Sequence, residues 1–391
     1  MRRCPNLVNE MTPSGQMEGH EFTVWSLAIT PDGRVIVSGG QDTTIRLWDF
    51  ASGKELHKFL GHNGPVYRLA VMPDGKRLVS IADKDLAVKI WNLETHELIR
   101  SLAPNSVHVA AIAVSPDQRF IVTGGDDGVA RYWDIDRGVM LRSSDHGRGI
   151  YSLMVSPDGR YLISGSKRIP GTRDVGVVWI WDFELGVLLR LLEGHQGHVT
   201  ALAMTADSRY ILSGDQHGAV YLWDLETGTL LKTMTGHHAP ILTIHITNDG
   251  QHVITGSSDG TVRVWVLRGG VLIADLTHAD NVHSMVVTPD CRYVITGSVE
   301  GLVEIWEFEK ESPWFDKSKE LAEEALAELE AFRMFQMKKI MTRYETLPLD
   351  RLGVLLRFKT PEELEDWLLD LPPEMPVKID GKDLTIIKKT L

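Results

Sequence analysis

The chain is punctuated by tryptophan at a nearly constant interval. Trp48, Trp91, Trp133, Trp181, Trp223, Trp265 and Trp306 follow one another at 43, 42, 48, 42, 42 and 41 residues. Such a period means that one small supersecondary unit is repeated, because a unit of about forty residues cannot bury its own apolar face and must stack on its neighbours. Each tryptophan closes a segment such as "IRLW", "VKIW" or "VYLW", whose alternation reads as a strand. Between these strands lie "TPDGR", "MPDGK", "SPDGR" and similar runs, in which Pro presets φ, Asp bonds to the backbone and Gly takes a left-handed conformation.

Polar residues keep the same beat. Ser or Thr stands ten residues before most of the tryptophans, as Ser38, Thr123, Ser213, Thr255 and Thr296, with Ser80 eleven before and Ser164 seventeen before. Eighteen residues earlier again come His20, His62, His146, His195, His237 and His278, and only the third unit has Asn105 there. Serine, histidine and aspartate are the ingredients of a hydrolase. A constellation repeated six or seven times is a building rule instead, and no one serine or oxyanion hole is singled out as catalytic.

Over about residues 11–312 the chain resembles the WD-repeat (WD40) β-propeller family. The resemblance implies seven blades of four antiparallel strands around a channel, each repeat giving the outer strand of one blade and three inner strands of the next. It also implies a hydrogen-bonded set in each blade: His20, Ser38, Asp42 and Trp48 in the first, and His237, Thr255, Asp259 and Trp265 in the sixth. Departures are visible. The fifth unit has His217 where the acid is expected, the second reaches Asp85 with one extra residue, the fourth has Asp174 displaced by a longer turn, and the seventh has Glu300. The expected organisation is an N-terminal closing strand within 1–18, the propeller over 19–312, and an extension over 313–391. "SPWF", with Pro313 and Trp314, is the rival closing strand, while "MTPSGQME" offers Met17 at the place held by Phe59.

Function in a repeat scaffold sits where the units differ. The fourth unit carries an insertion, "SKRIPGTRDVG", with Lys167, Arg168 and Arg173. Three cations on one projecting loop suit an acidic or phosphorylated partner, although surface insertions are also thermodynamically cheap. Five residues after each histidine position stand Trp25, Tyr67, Ala110, Tyr151, Thr200, Leu242 and His283. Rings suit protein interfaces, so Trp25, Tyr67, Tyr151 and His283 are candidate partner-binding residues on the face carrying the histidine and aspartate loops; packing against the next blade is the competing reading. His108, His198, His217 and His283 could approach the channel, but no zinc-type spacing appears and no metal or cofactor is expected.

After Trp306 the pattern changes. Residues 316–341 place Leu321, Ala325, Leu329, Phe332 and Ile340 near one helical stripe. "TPEELEDW" carries a capping box of Thr360 and Glu363, and "VKIDGKDLTII" reads as a hairpin turned at Asp380 and Gly381. The fold expected is therefore all-β, a seven-bladed propeller, followed by a small, mostly helical module that packs on itself and the propeller, docks into a partner or dimerises. Formal net charge of -12 argues against nucleic acid, Cys4 and Cys291 cannot form a disulfide framework, and no run of eighteen apolar residues suggests a membrane span. The expectation is a cytoplasmic, non-enzymatic scaffold or adaptor binding one or more proteins, with no membrane, nucleic-acid or small-molecule substrate. The alternative is a sensor or regulatory subunit of an enzyme complex.

Overall fold

The turn between the first two strands of each unit shows how the sequence fixes local shape. In the first, Thr30 Oγ1 donates to Asp32 Oδ1 at 2.5 Å, the same oxygen accepts the N–H of Arg34 at 3.1 Å, and Gly33 takes φ 71°. The same hydroxyl–carboxylate pair recurs at Ser115 and Asp117, Ser156 and Asp158, and Thr205 and Asp207. The computed structural model describes residues 14–83, 85, 87–102, 108–166, 176–247, 249–277 and 282–307, and the backbone of 346–348, 377–380 and 383–386.

These turns build seven four-stranded antiparallel sheets. Blade one runs Val24–Ile29, Val35–Gly40, Ile45–Asp49 and Glu55–Phe59, from the innermost strand outward. Blades two to six begin at Val66–Val71, Val109–Val114, Ile150–Val155, Val199–Met204 and Ile241–Ile246. Blade seven consists of Ser284–Val287, Tyr293–Gly297, Val303–Glu307 and, as its outer strand, Gly15–Met17 from the amino-terminal side. Each innermost strand touches that of the next blade, and the seventh touches the first, so the ring is closed.

The core lies between blades, which is why strands such as Ile45–Asp49 are buried on both faces. Ile45 and Leu47 pack with Val66, Leu78 and Trp91 of blade two. Ile36 and Trp48 pack the other way, with Val286, Ile295 and Val303 of blade seven. Burying each such aliphatic side chain contributes about 1.5–3 kcal/mol. Close approach demands small residues here: a Cβ on Gly39 would lie 2.8 Å from Val66 Cγ1.

The closing strand is short but in register. Gly15 pairs with Ile305, Gln16 with Glu304 and Met17 with Val303, and Ser14 N–H donates to Ile305 O at 2.8 Å. Met17 is 1% exposed and joins Val303, Ile305 and Trp48, as Phe59 does against Ile45 in blade one. Pro313 and Trp314 lie outside the described residues.

The chain divides into two compact units, Met1–Ser318 and Lys319–Leu391. In the second, Val377–Asp380 and Asp383–Ile386 form an antiparallel hairpin, with Asp380 opposite Asp383. Thr346–Pro348 adds a third strand beside Asp383–Ile386, which nothing in the sequence pattern announced. The helical stripe over 316–341 and the capping box at Thr360 lie outside the described residues.

Candidate functional site

In blades one, two, five and six the loops are tied to the third strand by a chain of hydrogen bonds. In blade one, Trp48 Nε1–H donates to Ser38 Oγ at 2.7 Å, Ser38 Oγ meets His20 Nε2 at 2.7 Å, and His20 Nδ1 meets both Asp42 oxygens at 3.0 Å. The donors order themselves. An ionised carboxylate only accepts, so Nδ1 donates to Asp42, Nε2 accepts the Ser38 hydroxyl, and Ser38 Oγ takes the indole proton. Burial alone would raise the Asp42 carboxyl, but the hydrogen bond from His20, with bonds from the Thr44 hydroxyl and N–H, holds it well below the usual carboxylate range.

Blade six repeats the set. Trp265 Nε1 donates to Thr255 Oγ1 at 2.9 Å, which meets His237 Nε2 at 2.8 Å, and His237 Nδ1 meets Asp259 Oδ2 at 2.9 Å. Asp259 is lowered to about 2, burial opposing and bonds from Thr261, the His238 N–H and His237 prevailing. Blade two closes the same set through His62, Ser80, Asp85 and Trp91, with Lys89 Nζ 2.8 Å from Asp85. These sets have the bonding order of a hydrolase triad. Ser38, Ser80 and Thr255 are nevertheless completely buried, and their oxygens are already capped by indole N–H groups, so none can reach a substrate.

Two blades correct the sequence reading. In blade five His217 is not a gap in the set: Asp215, two residues earlier, supplies the carboxylate at 3.2 Å from His195 Nδ1. Asp215 is fully buried and also accepts the backbone N–H groups of His217 and Ala219 at 2.9 and 3.1 Å. The available signal was the strand end, "SGD" where other units read "SGG" or "TGS". In blade four the set is rearranged. His146 presents Nδ1 to Ser164 at 2.9 Å and Nε2 to Ser144 at 3.2 Å, and its ring stacks on Trp181 with centroids 4.0 Å apart. Trp181 Nε1 is buried without a partner among the described residues, whereas the indoles of the six other blades each bond to Ser or Thr. Trp179, standing where blade one has Arg46, meets the histidine edge-on at 5.3 Å. Burial pushes His146 down to about 3, opposed by the charge of Asp145.

The ring residues singled out from the sequence sit on the inner strands at the face of these loops and touch the next blade. Trp25 meets His283 of blade seven edge-on at 4.6 Å. Tyr67 stacks on His108 at 5.3 Å and donates to Val109 O of blade three. Tyr151 lies 6.1 Å from His198 of blade five. All four of Trp25, Tyr67, Tyr151 and His283 are half-buried, so each is a blade-to-blade contact that also keeps accessible surface. Lys167, Arg168, Arg173 and Asp174, with Asn105 and His278, lie outside the described residues.

Beneath this face the innermost strands of all seven blades enclose a central channel of about 430 Å³, lined among others by Trp25, Arg68, Thr200, His245 and His283. Among the described residues no Asp or Glu lines it. The sequence reading missed Arg68 because it lies inside a strand rather than at a repeat landmark. Among the described residues no three His, Cys, Asp or Glu side chains are gathered as a metal would require, and no helix is long and apolar enough to cross a membrane.

The closed ring of tryptophan-anchored blades defines a repeat-built β-propeller. Comparison with known families agrees: the WD domain, G-beta repeat, matches residues 11–49, 53–92, 96–134, 139–168 and 270–307, and the Vps8 beta-propeller matches 171–273. The chain is a WD40-repeat, seven-bladed β-propeller. It is similar to Nuclear distribution protein PAC1 of Arthroderma otae, at 30% identity over 46% of this chain and 44% of that protein. Small ribosomal subunit protein RACK1y of Oryza sativa is 26% identical over 52% of this chain and 75% of its own length. Protein groucho of Drosophila melanogaster is 28% identical over 36% and 20%. The chain thus spans less than half the length of the PAC1 proteins it matches.

Proposed function

We propose that this protein is a non-enzymatic scaffold or adaptor of the cytoplasm that binds protein partners on the face carrying the histidine and aspartate loops. The observation that carries the reading is a division of labour. The residues shared by the blades are buried and spent on one another, while the residues that differ, Trp25, Tyr67, Tyr151 and His283, are half-buried at blade-to-blade contacts, Trp25 and His283 of them lining the channel. Half-buried rings held by neighbouring blades are preorganised, and association then costs little ordering of side chains. The basic insertion at Lys167, Arg168 and Arg173 adds a charged edge for an acidic partner, and the extension after residue 312 offers a second point of attachment. Relatives named for a ribosomal subunit and for nuclear distribution are consistent with work inside larger assemblies.

Capture of partners from the native cell, repeated with variants, tests this. Trp25→Ala and Tyr67→Ala should each weaken the principal partner at any salt, and reversing the three cations should weaken it mainly at low salt, where screening is least. Undiminished capture by all of these variants removes the face as the binding surface. Recovery of one stoichiometric enzyme would assign the regulatory-subunit role in place of a general adaptor.

A further inference from the structure

The seven innermost strands present one equivalent position toward the channel, where each crosses the close-packed residue of the second strand. Six blades place a small side chain there: Ser26, Ala111, Ser152, Ala201, Thr243 and Ser284. The hydroxyls bond to the neighbouring inner strands, as Ser26 Oγ does in accepting Leu69 N–H at 3.0 Å and Ser284 Oγ in accepting Leu27 N–H at 2.8 Å. Blade two places Arg68 there. Among the described residues its guanidinium makes one hydrogen bond, from Nη1 to Tyr67 O at 3.1 Å, and no carboxylate lies within ion-pair distance of it. In blade three the equivalent residue is Ala111, which lines the channel together with Arg68.

A guanidinium offers five donors, and Arg68, half-buried, keeps surface open to the channel in which they can be met. Loss of hydration is the dominant influence on Arg68 and lowers its pKa, with only the Tyr151 and Tyr67 phenols acting against it. Trp25 lines the same channel, and its Nε1 is buried with no hydrogen-bond partner among the described residues, so its indole resonance reports on the channel. Among the described residues the walls carry no acid to repel an incoming anion.

We propose that the channel is an oxyanion site, in which Arg68 receives the carboxylate of an aspartate or glutamate side chain from a partner segment lying across the face. This rests on the assignment of that face as the binding surface. A single carboxylate fits better than a phosphorylated residue, because the site supplies one fixed cation in a chain of net charge -12, whereas a phosphate brings up to two negative charges and is usually met by several arginines.

The probe is N-acetyl-glutamate amide, titrated into the full-length protein while the indole N–H resonances are followed by NMR; the Trp25 signal is assigned with Trp25→Phe. The expected result is a saturable shift of the Trp25 resonance with the glutamate probe, none with N-acetyl-glutamine amide, and binding at least ten-fold weaker in Arg68→Ser. That variant copies the residue of blades one, four and seven, so it retains the fold, and Arg68→Lys, keeping the charge, should bind within a few-fold of the parent. Equal response to the glutamine probe, undiminished binding in Arg68→Ser, or tighter binding of inorganic phosphate than of the glutamate probe overturns the assignment. Failure of the site is separable from failure of the face. If the probe does not bind while Trp25→Ala and Tyr67→Ala still lose the partner, only the carboxylate site falls; if the probe binds and those variants keep the partner, the site stands and the face reading falls.

Discussion

Blade four should lose stability in acid through His146, and replacing His146 by Gln tests it. His146 is buried, stacked on Trp181 and hydrogen-bonded by two serines, with its pKa pushed from 6.5 down to about 3 by loss of hydration. The folded ring therefore holds a neutral imidazole, while the unfolded chain takes up a proton once pH falls below about 6.5. Because the folded pKa is the lower one, stability is complete above the unfolded pKa and drains away as pH falls toward about 3. At pH 5 the unfolded chain has gained about 1.5 pH units of protonation that the folded state has not, worth about 2 kcal/mol at 1.36 kcal/mol per unit. That figure depends only on the unfolded pKa, so long as the folded value lies well under 5. Urea unfolding of parent and His146→Gln at about pH 7.5 and pH 5 provides the assay. Losing the stack and bonds should cost the variant about 1–2 kcal/mol at the higher pH, yet its loss between the two pH values should be about 2 kcal/mol smaller than the parent's. All other titrating groups cancel in that difference. Identical pH dependence in the two proteins would refute the idea that His146 is buried uncharged.

Further outcomes follow from the blade sets and the seam. Asp215→Ala should destabilise the protein by about 1–3 kcal/mol by leaving His195 and two backbone N–H groups without their acceptor, whereas His217→Ala should shift the melting temperature little; calorimetry showing the reverse order would restore His217 to the set. Met17→Ala should cost about 2–5 kcal/mol, because it empties a core site between Val303, Ile305 and Trp48; an unchanged denaturant midpoint would mean that the short strand does not hold the seventh blade.

Much of this architecture was written in the chain as spacing. Tryptophan at intervals of 41 to 48 residues and turns such as "TPDGR" sufficed for seven blades, since each repeats the same local demand for strand, reversal and buried indole. What spacing could not convey is which atom meets which across a loop. Asp215 reaches His195 from two residues before the expected place because the side chain, not the residue count, closes the bond. The turned ring of His146 depends on Trp179 filling a place held by arginine in blade one, a contact visible only once the strands are paired. Arg68 escaped notice for a similar reason: its meaning lies in six small residues at the same height in the other blades, and no motif marks that height.

The seam of the ring also sets a timetable. Gln16 and Glu304, which face each other there, are 288 residues apart in the chain. At a synthesis rate on the order of 5–20 residues per second, the first strand waits for roughly a quarter of a minute to a minute before its partner exists. During that interval Val24, Leu27 and Ile36, which end beneath blade seven, face either water or whatever shields a nascent chain. Blades two to six can form as they emerge, each from consecutive strands, but the molecule becomes a ring only in its last event. The risk of misassembly is therefore concentrated at one place and one moment, when the open strand of one copy can equally well be taken by the seventh blade of another.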